Sequence, residues 1–506
     1  MYSVRWKTAQ VLVFSSAVSL LAATGTIFAK ASEASVEKEI GVPGLHLDYD
    51  LGMPTAETVE RLYNQMDFQR AVQSYLWAIP IIGVQSSKES LVENAGAKSG
   101  DVVFVSGFRD VSTMRGSNVT TPYFFSHFDL AQGPVVLEYP AGATASSLID
   151  WRDRPIADLG GPGVDAGKGA TFLLLGPGQE VPKDAPAGAH VLHSKTFKAL
   201  LFGRILDNDP QKIQDVLSQA RFYPYGKDAP KHVTILKFKP TGELKSMAPP
   251  KGLAYWKSLS AALQGEVVED RDRFFMAMLK PLGIENGQPF APDSRQIEIL
   301  NKAAELGEAM AKANAFSKRL PKMKYRPDSN WEYLIPPYYS MQQDIPGGTL
   351  FEERTAFFYE VMGSSEAVMT RKSGVGSGYL TAYHDKKGAV LDGGKTYKLH
   401  VPANPPAKLF WSITLYDTQS RTFIQSAQQI VDRSSKDDLI RNADGSVDIV
   451  MGPKSPAGLE KNWIPTIPGR SWYVYFRLFG PLEPYLDQSW KLSDIELLAQ
   501  THSLPQ

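Results

Sequence analysis

The 506-residue chain has no cysteine. That single absence excludes disulfide frameworks, thiolate metal sites and cysteine nucleophiles. It also lacks an excess of either charge, with 54 Lys and Arg against 54 Asp and Glu. No overall field therefore steers it to nucleic acid or to an anionic membrane, and nucleic acid is not an expected partner. Beyond Phe28 there is no apolar run near the ~20 residues that a membrane span requires.

Catalytic signatures are scarce as well. An α/β hydrolase needs Gly-x-Ser-x-Gly to hold its nucleophile on a strained turn, and in Gly374-Val-Gly-Ser-Gly378 the serine stands one place late. That segment reads as a flexible turn. None of the eight histidines forms the His-Glu-x-x-His pair of a zinc hydrolase. His190 and His193 flank Val191 and Leu192, a strand pattern that turns the two rings to opposite faces, so no metal site is expected there. Gly161 to Lys168 imitates a phosphate loop, but Pro162 replaces its first glycine and Gly169 stands where Ser or Thr should hold magnesium. It reads as a turn leading into the Phe172 to Leu175 strand. Asn118-Val-Thr120 fits a glycosylation sequon, which matters only in a eukaryotic secretory route. The sequence names no cofactor.

What is present begins with a leader. Arg5 and Lys7 precede the apolar run Val11 to Phe28, and Ala29-Lys-Ala31 supplies small residues at the positions a signal peptidase reads. A cleavable signal over 1–31 is expected, with Ser32 the first mature residue and a periplasmic or secreted location. The alternative is a retained anchor, which Ser15, Ser16, Ser19, Thr24 and Thr26 weaken. The exported chain would rest on core burial alone, and at ~100–200 residues per domain it should form two to four domains.

Periodicity divides the rest. Thr55 caps a helix through Val59, Leu62, Tyr63 and Met66, and a second helical stretch through Val72, Tyr75 and Leu76 ends at Pro80. These belong to a helical lead-in over 32–100. Short apolar runs at 102–105, 123–125, 135–137 and 171–175 read as strands of a β domain over 101–206. A helical linking region over 207–377 carries a helix from about Leu253 towards Met278. It also carries one opened by Pro292, with Ile299, Ala303, Leu306, Met310 and Ala313 as its buried face. A later helix bears Phe351, Arg354, Phe357, Phe358 and Val361. If its apolar face is buried, Arg354 needs a carboxylate or carbonyl partner. The same aromatics suit either a core or a subunit contact, so a homo-oligomer is one expectation. From 378 to 495 aromatic and β-branched strands cut by Asp-Gly and Pro-Gly turns spell an antiparallel sandwich.

Many short motifs agree in order with one bacterial family. Asn118-Val-Thr-Thr-Pro-Tyr123, Phe128-Asp-Leu130, Gly133 to Glu138, Asp150-Trp-Arg152, Asp158-Leu-Gly160 and Gly163 to Gly169 resemble its first domain. Pro405-Pro406, Phe410-Trp-Ser412, Thr414, Tyr416-Asp417, Asn462-Trp463, Pro465, Arg477 and Trp490 resemble its second. The family is described only as paired domains of unknown function, 1254 and 1214, and the resemblance covers most of residues 70 to 495. It implies a fold that is mainly β with a helical middle (α+β): an N-terminal β sandwich, a helical insertion and a C-terminal jelly-roll-like β sandwich. One departure stands out, because Thr120 occupies a position where much of the first family carries Asp.

Two groups of residues carry chemistry. On a regular strand Tyr123, His127 and Asp129 share a face, where Asp129 could orient the His127 ring for acid/base work and Tyr123 donate to an oxyanion. Asn118 and Thr121 precede them as candidate ligand contacts. The structural alternative is a His127–Asp129 pair that closes the sheet. The second group is Trp411, Tyr416, Asp417, Trp463, Tyr475 and Arg477, in which aromatic faces beside one fixed charge suit a sugar ring, an aromatic acid or a lipid head group. Aromatic strands also fill a sandwich core. Two functions are therefore open: an exported hydrolase or lyase acting on an ester, lipid or small organic acid in an interdomain cleft, or a non-catalytic ligand-binding or scaffold protein using the same cleft. Either takes a small-molecule partner and leaves no membrane span once the signal is cleaved.

Overall fold

The computed structural model describes residues 46–498, apart from Pro321, residues 336–339 and Arg371. The expected signal at 1–31 lies outside the described residues. The unit ending at Tyr63 carries, among its described residues, a hairpin pairing Tyr49–Asp50 with Met53–Pro54. Thr55 caps the following helix as expected, its Oγ1 accepting from the Thr58 amide at 3.3 Å.

That helix, Ala56–Ala95, is one element where two were expected. It runs through Pro80 because the surrounding Trp77, Ala78, Ile79, Ile81 and Ile82 are all buried in the largest core. Their burial outweighs the ~3 kcal/mol that an interior proline costs. Tyr63 and Met66, expected on its buried face, are 58% and 38% exposed.

The unit from Asn64 onward holds two β regions and the helices between them, a mixed α+β fold. In the first region a six-stranded sheet runs in the order Ile235–Lys237, Val102–Val105, Tyr123–Asp129, Lys198–Ile205, Thr144–Asp150, Pro155–Gly160. A four-stranded sheet follows the order Arg221–Pro224, Val135–Tyr139, Ala170–Leu175, His190–His193. Side chains alternate: Phe124, Phe128 and Leu201 join a core shared with the smaller sheet, whereas Tyr123, Phe125 and Leu200 face the helices. Two of these strands come after residue 206. Arg221–Pro224 pairs antiparallel with Val135–Tyr139, and Ile235–Lys237 pairs parallel with Val102–Val105.

The helices differ from expectation in detail. The stretch from Leu253 breaks at Gly265, which has φ +73°, into Leu253–Leu263 and Arg273–Leu279. Ser294–Phe316 starts at a capping box between Asp293 and Gln296. Its buried face is Ile299, Leu300, Ala303, Ala304, Gly307, Ala311 and Ala315, while Leu306 and Met310 are 36% and 38% exposed. Gly307 sets this rotation, since a Cβ there would lie 2.6 Å from the Tyr75 ring. Phe351–Glu360 buries Phe357 and Phe358 in the core of this same chain, which uses the face offered above for a subunit contact. Arg354 on this helix donates to the Gln342 side chain at 2.9 Å and to the Trp77 carbonyl at 3.0 Å, an amide and a carbonyl where a carboxylate was also considered.

The second β region pairs a five-stranded sheet, Glu332–Tyr333, Ser377–Ala382, Trp472–Pro481, Ala407–Asp417, Asp432–Ser434, with a four-stranded one, Trp463–Pro465, Val447–Gly452, Tyr397–Val401, Glu496–Leu497. Along Trp472–Pro481, Trp472, Val474, Phe476 and Leu478 enter the core shared by these sheets. Tyr473 and Tyr475 alternate with them and enter the helical core. Among the described residues no helix is long and apolar enough to cross a membrane.

Candidate functional site

Arg477 lies on the second of these faces and is fully buried. Its guanidinium donates to the Thr414 hydroxyl at 2.9 Å, the Tyr416 hydroxyl at 2.6 Å and the carbonyls of Gly116 and Ser117 at 2.6 and 3.2 Å. Tyr416 also donates to the Ser117 carbonyl. The C-terminal sheet thereby grips the loop that carries Asn118 and Thr121. Within that loop the Asn118 side chain accepts from the Thr121 amide at 3.3 Å, and the Asn118 amide donates to the Tyr123 hydroxyl at 3.0 Å. Four residues expected to contact a ligand, Asn118, Thr121, Tyr416 and Arg477, are thus brought together, with Tyr123 beside them.

Thr120 is fastened from the same side. Its hydroxyl donates to Asp432 at 2.9 Å, and the Val119 amide reaches the same carboxylate oxygen at 3.3 Å. The carboxylate absent at position 120 is therefore supplied across the contact by Asp432, whose pKa burial pushes up to about 6. A carboxyl with a raised folded pKa adds stability below its ordinary value and loses it as pH rises through the folded one. Between pH ~4 and ~6 this group should lower stability by up to about 1.4 kcal/mol per pH unit. Urea unfolding across that range should show a flatter pH dependence in Asp432→Asn. An unchanged slope would assign the dependence to another group.

The acid/base trio does not assemble. Tyr123, His127 and Asp129 do occupy alternate positions of one strand, but at ~3.3 Å per residue the phenol and the imidazole are about 13 Å apart. His127 is buried and donates from Nε2 to the Ala97 carbonyl at 3.3 Å, and burial holds its pKa below the ordinary value. Asp129 is exposed at the strand end, where its side chain accepts from the Ala131 amide at 3.0 Å. The two indoles separate as well. Trp411 stacks on Phe476 in the C-terminal core at 5.4 Å, and Trp463 donates to the Gly452 carbonyl at 2.9 Å. Trp411 lies on the far side of its sheet from Arg477, since Trp411 and Tyr416 differ in strand parity, and Trp463 belongs to the other sheet of this region. Asp417 accepts from Arg470, and Tyr475 donates to Glu360.

Beside the gripped loop a groove of about 360 Å³ opens between the two β regions. One wall is Thr144 to Ser147, Phe202, Arg204 and Leu206, and the other is Ser365, Ala367, Val368, Gly374 to Ser377, Tyr379, Lys408, Leu409 and Phe479. Two carboxylates hold the second wall in place: Asp153 accepts from the Gly363 amide at 2.9 Å and Asp158, of the Asp158-Leu-Gly160 motif, from the Ala367 amide at 2.6 Å. The Ser147 hydroxyl adds a bond to the Ser364 carbonyl at 2.6 Å. Of the segment Gly374 to Gly378, read from sequence as a flexible turn, Gly374 to Ser377 form part of this wall. The Gly374 amide donates to the Pro481 carbonyl at 2.7 Å and the Gly480 amide to the Gly376 carbonyl at 2.8 Å. Gly376 has φ +70°, and a Cβ there would sit 2.0 Å from the Ala367 carbonyl oxygen.

The groove's cations, Arg204 and Lys408, were not singled out in the sequence. A signal existed for the first, as Arg204 is the lone charge in the otherwise apolar run Ala199 to Ile205. Its guanidinium lies over the rings of Tyr123 and Phe479, at 5.3 and 5.4 Å from their centroids. Among the described residues no group of three or more His, Asp or Glu is placed to hold a metal.

Comparison with known proteins agrees with this organisation. The model of a protein of unknown function, DUF1254, matches residues 105–224, and that of another, DUF1214, matches residues 376–483. No curated protein matches the chain. Among solved structures, the VPA0106 protein of Vibrio parahaemolyticus aligns with a TM-score of 0.53 at 16% identity, covering 86% of this chain and all of that one. An uncharacterised protein of Burkholderia cenocepacia aligns at 0.38 and 13% identity, covering 87% of this chain and 95% of the other. The first likeness supports a shared fold. The two matched segments stand in the order DUF1254 then DUF1214, the paired arrangement that the motifs resemble, and the gripped loop lies in the first of them.

Proposed function

We propose that this protein binds a small, largely apolar molecule in the groove between its β regions, as an exported binding protein. The observation that carries the reading is the groove itself. It has a volume within the range of small-molecule pockets and walls fastened by Asp153, Asp158 and Ser147. Separate partners for Tyr123, His127 and Asp129 favour binding over turnover. Export rests on the leader pattern at Arg5 to Ala31. In the same reading each β region is a sandwich of its two sheets, the second jelly-roll-like, which suits two rigid walls around a ligand.

The environment-sensitive dye 1-anilinonaphthalene-8-sulfonate tests it. Ala145 lines the groove, so Ala145→Trp should weaken saturable dye binding at least about tenfold. Phe274→Ser, at the 70%-exposed ring of a separate surface hollow, should leave it unchanged. The reverse pattern would move the ligand site out of the groove.

A further inference from the structure

The chemical class of the ligand follows from the charges around the groove. Its lining contains two cations, Arg204 and Lys408, and no Asp or Glu. Arg204 is half-buried and held flat by Tyr123 and Phe479. Among the described residues no carboxylate lies within 4.0 Å of it, whereas most other half-buried arginines of this chain have one. Arg61 has Asp48, Arg70 has Asp67, Arg109 has Asp110 and Arg326 has Asp328. A guanidinium stacked by its faces keeps its N–H edge free, and that planar fork matches a carboxylate in bidentate geometry. None of the Arg204 nitrogens is shut away from the groove, and no hydrogen bond from the described residues occupies them, so an arriving anion meets donors still open to it. Beside hydroxyls such as Ser146 and Ser377, the lining carries an apolar stretch of Phe202, Leu206, Val368, Val375 and Leu409.

We infer that the groove takes a free monocarboxylate with a medium-length apolar tail, its carboxylate on the N–H edge of Arg204 and its tail along Phe202 and Val368. Lys408, which is exposed at the rim, adds long-range attraction and no fixed contact. This rests on the groove reading above and goes beyond it in the nature of the polar end.

Titration calorimetry of the full chain with octanoate, 1-octanol and octylamine separates the two levels. Octanoate should bind at least about tenfold more tightly than octanol, and octylamine should not bind. Arg204→Gln should weaken octanoate about 10- to 100-fold, as loss of a charge-assisted pair does, and leave octanol unchanged. Arg204→Lys should recover only part of the loss, because an ammonium has no fork. Thermal unfolding of each variant establishes that it is folded. Equal binding of octanoate and octanol, with Arg204→Gln indifferent, would overturn the carboxylate assignment and leave the groove standing. Octanoate binding that survives in Ala145→Trp, or no saturable octanoate binding in the wild type, would overturn both.

Discussion

Replacing Arg477 by alanine should cost about 3–5 kcal/mol of stability, the scale observed when one member of a buried charged network is removed. The wild-type guanidinium satisfies the Gly116 and Ser117 carbonyls, Thr414 and Tyr416 at once, in a place without solvent access. The shortened side chain would leave those acceptors buried and unpaired, and the cavity adds to the penalty. Arg477→Lys should recover less than half, because one ammonium on a flexible stem cannot span four acceptors in a plane. Urea unfolding reads both values. A loss below about 1 kcal/mol in Arg477→Ala would show that the loop at 116–121 is held by something other than this residue.

Glu360 is the second position where a large effect is expected. It is fully buried, accepts from the hydroxyls of Tyr383 at 2.5 Å and Tyr475 at 2.7 Å, and faces the Lys318 ammonium at 3.8 Å. Burial pushes its pKa up. Glu360→Ala leaves two phenols without acceptors and Lys318 with Glu332 as its remaining carboxylate partner at 3.1 Å, and should cost about 3–4 kcal/mol. Glu360→Gln preserves the shape and one acceptor oxygen, so its cost should stay nearer 1–2 kcal/mol. Equal losses in the two variants would mean that packing at this position, and not its hydrogen bonding, supports the helix Phe351–Glu360.

Much of the fold was readable because its strands are regular. The alternation along Trp472–Pro481 and the apolar runs at 102–105, 123–125, 135–137 and 171–175 all became strands. Errors arose where a local rule met a stronger tertiary term. Pro80 stops a helix in isolation, but here Ile81 and Ile82 are buried around it. The face of Ser294–Phe316 turned because Gly307 admits the Tyr75 ring.

The site was half legible for a similar reason. Asn118 and Thr121 of one group meet Tyr416 and Arg477 of the other, a meeting the motifs did not suggest, and they hold a loop with the same groups that were expected to meet a ligand. Tyr123 and His127 share a strand face, but sharing a face says nothing about the distance along the strand. Trp411 and Trp463 were grouped with Arg477 by composition, but strand parity turns Trp411 to the other face and Trp463 stands on the other sheet. The groove itself was hidden, because it exists only where residues near 145 and 204 come beside residues near 375 and 479. Nothing local in either stretch announces that meeting.

Diffraction at the bromine absorption edge from crystals grown with 8-bromooctanoate locates both ends of the ligand at once. One strong anomalous peak is expected inside the groove, among Phe202, Val368 and Leu409, with the carboxylate density on Arg204. A strong peak in the Phe274 hollow with the groove empty, or a peak in the groove with the carboxylate turned away from Arg204, would contradict that placement.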